Sequence, residues 1–237
     1  MRLISFVFII CFAFTLTVSA QTESAQQFFK DGMQAASAQD FQTALEFYKK
    51  AAAENSPKVK TFSAKIYYNI GVCYYQLNRN LEAIEAFTNA INLSGRTYQK
   101  AFYALGMAET DLKHFDKAKN AFLEAVRLNE HDGEAWFDLA IVLMAAKEYE
   151  IAQRAFANAI KFNSVSKSAS YNNLGVIFAL TDNFQMAEAQ FKLALFESDG
   201  KLIEAKNNLQ LCRSRLPEQN TNLLAKLEFS DRNYKNQ

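Results

Sequence analysis

Small and aromatic residues alternate along this chain at a fixed spacing. Gly32, Gly71, Gly106, Ala140 and Gly175 follow one another at intervals of 39, 35, 34 and 35 residues. Twelve residues beyond each stands an alanine: Ala44, Ala83, Ala118, Ala152 and Ala187. Four further is an aromatic (Tyr48, Phe87, Phe122, Phe156, Phe191), and three beyond that an alanine again (Ala51, Ala90, Ala125, Ala159, Ala194). Another aromatic precedes each small residue by four: Phe28, Tyr67, Phe102, Trp136 and Tyr171. Apolar residues three and four apart share one face of a helix. Each motif holds two such faces separated by a short polar turn, as at Gln39-Asp40, Lys113-His114 and Thr181-Asp182-Asn183. The pattern therefore predicts five antiparallel helix pairs. The small residues let the paired backbones approach, so a large side chain at Ala83 or Ala118 would overpack the contact at about 1–3 kcal/mol.

The order aromatic, small, Ala, aromatic, Ala at this spacing resembles the tetratricopeptide repeat family. The resemblance covers residues 25–201, as repeats 25–58, 64–97, 99–132, 133–166 and 168–201. Three features depart from the family pattern. The usual proline at the repeat end appears only as Pro57, Asp31 and Asn80 stand where apolar or aromatic residues are preferred, and extra residues fall around Asn55 to Thr61. After the fifth repeat, Leu202, Ala205, Leu209 and Cys212 line one face of a further helix, with Lys206, Asn207, Gln210 and Arg213 on the other. Asn207-Asn208-Leu209 echoes Asn172-Asn173-Leu174 at a 35-residue interval, so 202–216 reads as a half repeat that caps the array with a polar outside. A tail, 217–237, follows Pro217; it is polar apart from Leu223, Leu224, Leu227 and Phe229. The expected architecture is all-α: a right-handed α-solenoid of five helix-turn-helix repeats with a C-terminal capping helix.

Composition agrees with long helices and short turns, since only seven Gly and two Pro punctuate 237 residues. Charge is nearly balanced, 26 basic against 25 acidic side chains, which gives no field for nucleic acid or a membrane surface. Residues 1–20 differ in kind. Arg2, an uncharged apolar run from Leu3 to Val18, and the small residues Val18-Ser19-Ala20 are the layout of a secretory signal peptide cleaved after Ala20. An uncleaved anchor is the alternative, and lipid attachment at Cys11 is disfavoured by Ile10 before it. Export would leave Cys73 and Cys212, which fall several helix pairs apart, too far for a disulfide. Both suit small buried positions.

No catalytic constellation appears. His114 and His131 lie in turns without a cysteine or carboxylate at metal-ligand spacing, and neither a phosphate loop nor a nucleophile elbow occurs. The expectation is a protein that is not an enzyme and needs neither cofactor nor metal.

The family resemblance implies a concave groove lined by the first helix of each pair. Carried onto this chain, its rows are Phe29, Tyr68, Tyr103, Phe137 and Asn172; Met33, Val72, Met107, Ile141 and Val176; and Ala36, Tyr75, Thr110, Met144 and Ala179. The Val and Ile members serve equally well as packing between helices. Four successive aromatics at a nominally exposed position point instead to a binding surface. The slots with which family members grip a C-terminal carboxylate hold Phe29, Met33, Asn69, Lys100 and Ala104, so two of five match and such a clamp is not expected. The groove suits an apolar or amphipathic peptide segment. The implied function is a scaffold of the bacterial envelope, periplasmic or secreted, with a protein partner. The alternative is self-assembly or autoinhibition, with Leu223–Phe229 in the groove.

Overall fold

The computed structural model describes residues 23–55, 59–163 and 167–214. The expected leader 1–20, Pro57 and the tail 217–237 lie outside the described residues. Among these there are eleven helices and no strand. In chain order they are α1 (23–37), α2 Phe41–Glu54, α3 Lys60–Gln76, α4 Asn80–Leu93, α5 Gln99–Asp111, α6 Phe115–Leu128, α7 Gly133–Ala145, α8 Tyr149–Lys161, α9 Lys167–Leu180, α10 Phe184–Glu197 and α11 Ile203–Arg213. No helix among the described residues is long and apolar enough to cross a membrane.

One device turns the chain inside each repeat. Gln39, Asn78, Lys113, Lys147 and Asp182 all have φ between 59° and 61°, at the same place in successive repeats. The next residue's N–H reaches back five positions, from Asp40 to the carbonyl of Ala35, Arg79 to Tyr74, Glu148 to Leu143 and Asn183 to Phe178, at 2.8–3.0 Å. This left-handed C-terminal cap satisfies carbonyls that a helix end leaves open. The second helix then starts at once. Asp40 and Asn183 accept from the N–H groups of Thr43 and Met186, at 3.1 and 3.3 Å, which supplies the N-terminal cap.

The chain forms two compact units that divide after Leu112. Unit 1 holds α1 to α5. Its core is built from Ala44, Leu45, Tyr48, Ile66, Ile70 and Cys73, followed by a second cluster of Tyr75, Ala83, Phe87 and Ala108. A Cβ on Gly71 would stand 2.5 Å from the Phe87 ring, so the aromatic of the second helix lies directly on the backbone of the first.

Unit 2 holds α6 to α11. Gly175 meets Phe191 as Gly71 meets Phe87, again at 2.5 Å. Six consecutive residues of α9, Asn172 to Ile177, are buried, as are Phe137 to Ala140 and Val142 to Met144 of α7. A helix with consecutive buried residues is covered on every side. The cap α11 buries Ala205, Asn208, Leu209 and Cys212 and exposes Lys206, Asn207, Gln210 and Arg213. It is tied to α9 and α10 at three points. Asn208 Nδ2 donates to Asn172 Oδ1 at 2.9 Å, Cys212 Sγ lies 3.4 Å from the Phe184 carbonyl, and Arg213 Nε donates to Glu188 at 2.9 Å.

Candidate functional site

The residues expected to line a groove fall into two groups. In unit 1 most keep an open side. Met33 is 54% exposed, and Phe29, Tyr68, Val72, Tyr103 and Met107 are half-buried. The two rings on the lower row are keyed into the core behind them. Phe29 sits 5.4 Å from Tyr48 and 5.3 Å from Phe62, which joins α1 to α3. Tyr68 sits 6.0 Å from Phe87 and 5.1 Å from Tyr98, just ahead of α5. Tilted and edge-on pairs at these separations are the favoured aromatic geometries. The rings are thus held in place while part of each faces out.

Tyr75 departs from its expected role. It is buried in the second core cluster with Ala83, Phe87 and Ala108, because its place near the end of α3 turns it toward α4.

In unit 2 the expected lining is closed. Phe137 is wholly buried with its ring 5.7 Å from Phe156, and Met144 is buried as well. Asn172 is wholly buried and holds Asn208 and Asn173 through its side-chain amide. These three are core residues rather than groove surface; the apolar character of α7 and α9 all round draws every face inward. Ile141 alone among the expected unit 2 residues is half-buried.

Burial raises the hydroxyl pKa of Tyr68 and pushes that of Tyr98 up to about 12, the latter also through Tyr68 beside it. Both are neutral donors at physiological pH. Asn69, one of the carboxylate-clamp matches, donates its amide to the Lys65 carbonyl of its own helix at 2.8 Å. Lys100, the other match, is exposed in the first turn of α5, so the open face of unit 1 is mainly apolar with hydroxyl tips and a cation at its edge.

Among the described residues no three His, Cys, Asp or Glu side chains are placed to hold a metal. Cys73 and Cys212 are free and buried. Burial pushes the Cys73 thiol up to about 12 and raises that of Cys212, which disfavours the thiolate at both. His131 is exposed and packs its ring 4.9 Å from Phe162. Sequence reasoning also passed over an outer depression of unit 1, where Lys49 and Arg79 stand over the Tyr74 ring at 5.3 and 4.6 Å beside Tyr67 and Glu82.

Sequence models of the family described as Tetratricopeptide repeat match residues 64–94, 103–152 and 137–201, together more than half of the chain. A TPR repeat-containing protein of Schizosaccharomyces pombe is 29% identical over 96 residues, 40% of this chain and 12% of that protein. BBSome complex member BBS4 of Bos taurus is 25% identical over 133 residues, 56% of this chain and 24% of that protein. The chain thus matches less than a quarter of the length of these relatives. Among solved structures, MamA superposes with a TM-score of 0.66 at 23% identity, covering 76% of this chain and 94% of MamA. YrrB, described as a TPR protein with an unusual peptide-binding site, gives 0.67 at 25% identity, covering 86% of this chain and 98% of YrrB.

Proposed function

This chain belongs to the tetratricopeptide repeat family, and on that premise we propose that it is a non-catalytic scaffold whose unit 1 binds an apolar or amphipathic peptide segment of another protein. The reading rests on one observation above others: the open, mainly apolar face carried by α1, α3 and α5. Met33, Tyr103 and Met107 offer accessible apolar area there, and Phe29 and Tyr68 are rings already fixed by the core. A pre-ordered aromatic loses little conformational freedom when a ligand covers it, and methionine adapts to different ligand shapes. The peptide-binding description of YrrB supports the ligand class. The leader-like residues 1–20 support export, which would make the partner a protein of the bacterial envelope or a secreted one.

The test is co-purification from an envelope extract with quantification of the recovered partner. Replacing Met33, Tyr103 and Met107 with Ser should lower recovery at least tenfold while the thermal midpoint stays within a few degrees. Partner recovery equal to that of the parent protein would overturn the proposal. Phe137→Ser is the contrasting variant. Its side chain is wholly buried, so it should unfold unit 2 by loss of about 3–5 kcal/mol and not report on the surface.

A further inference from the structure

The second helices of the repeats show a difference that the family pattern does not contain. Counting from the first alanine of that helix, the positions one before, six after and nine after keep contact with water in every repeat. In the first four repeats they hold Thr43, Lys50 and Ala53; Glu82, Asn89 and Asn92; Lys117, Glu124 and Arg127; and Ile151, Asn158 and Lys161. Ten of these twelve are polar, as an outward face requires. In the fifth repeat they are Met186, Leu193 and Phe196, exposed by 43%, 40% and 79%. One helix, α10, thus carries a stripe of large apolar side chains in water, and Ile203 at the start of α11 adds another at 68%. Such a stripe marks a surface that something covers.

The covering segment is indicated by where the chain leaves unit 2. The last turn of α11 is fastened beside the first turns of α10, through Arg213 to Glu188 and Cys212 to the Phe184 carbonyl. The residues after Ser214 therefore start level with the Met186 end of the stripe, on the other flank of α10, because Met186 lies about 200° round the helix from Glu188. The stripe runs about 15 Å, ten residues of helix. Nine residues separate Ser214 from Leu223, enough to reach about 30 Å when extended, so any point of it is within range. The tail's apolar content is concentrated in Leu223, Leu224, Leu227 and Phe229, which come at the right distance to meet the stripe.

We propose that the chain's own segment Leu223–Phe229 docks on the outward face of α10, over Met186, Leu193 and Phe196. It acts as an intramolecular cover for the last repeat. This moves the tail away from the groove in which sequence reasoning had set it, and leaves the face of unit 1 open to a partner.

The experiment uses the full-length protein with cysteines introduced in pairs and mild oxidation at low micromolar concentration. The native Cys11, Cys73 and Cys212 stay in place, and variants with one introduced cysteine establish that they do not react. Leu193→Cys with Leu224→Cys should form an intrachain disulfide at least tenfold faster than Leu123→Cys with Leu224→Cys, in which the first cysteine is on the exposed face of α6. Adding Leu227→Asp to the first pair should slow it at least tenfold, with the helical circular-dichroism signal unchanged. Cross-linked dimers in place of the intrachain product would assign the stripe to a second copy and overturn the proposal. So would faster bonding of Leu224→Cys to Met33→Cys in the groove, or rates at α10 no greater than the α6 control.

Discussion

At the level of single residues, packing and backbone strain set opposite demands. Gly71 and Gly175 are needed because an aromatic ring occupies the space of a Cβ, and the spacing of small and aromatic residues made that contact readable from sequence. The turns ask for the reverse. Lys147 holds φ near 61°, a conformation that costs an L-residue about 1–2 kcal/mol and glycine almost nothing. Lys147→Gly should raise stability by about 0.5–1 kcal/mol once the greater freedom of glycine in the unfolded chain is discounted, and Lys147→Val should lower it by at least 1 kcal/mol. Urea titrations of the two variants check the sign of each. The place of these turns was legible in pairs such as Lys113-His114, but their left-handed geometry was not. Gln, Asn, Lys and Asp fill the position in turn, so no residue type announces it.

Among the elements, α7, α9 and α11 depart most from the pattern. A five-fold repeat implies that equivalent faces do equivalent work, and on that basis Phe137, Met144 and Asn172 were assigned to a groove. They are buried, while Phe29, Tyr68 and Tyr103, at positions equivalent to Phe137 and Asn172, are half-open. The echo of Asn172-Asn173-Leu174 in Asn207-Asn208-Leu209 was visible in the sequence. That it forms a buried hydrogen bond between repeat and cap was not, because spacing carries no information on which side chains meet. Asn208→Ala removes the 2.9 Å bond to a wholly buried amide and should destabilise unit 2 by about 1–3 kcal/mol. Hydrogen exchange should show the loss as faster exchange in α11 and α9, with α3 and α5 unchanged. Equal protection across α11 in variant and parent would remove this role for the amide pair.

For the whole molecule, pH sensitivity is predicted on the alkaline side. Tyr48, Tyr98 and Cys73 all have pKa values raised by burial, from 10.0, 10.0 and 9.0 to about 12. The fold favours their neutral forms, so their contribution is complete below about pH 9 and is lost as pH rises toward 12. The thermal midpoint should be level from neutrality to about pH 9 and fall above it, and Cys73→Ala should flatten the early part of the fall. A midpoint unchanged up to pH 11 would show that these groups ionise without cost.

All three lie in unit 1; the repeat spacing marked Tyr48 and Cys73 as core positions, whereas nothing in the sequence marked Tyr98. What the sequence determined by itself is the periodic part: helix pairs, their order, the all-α class and the family. These follow from short-range spacing, which repeats five times and so averages out individual exceptions. What only the tertiary structure decided is which members of each row stay in contact with water. That depends on the neighbours that each face meets, and neighbours differ between the middle and the end of an array even where the residues along the chain keep the same rhythm.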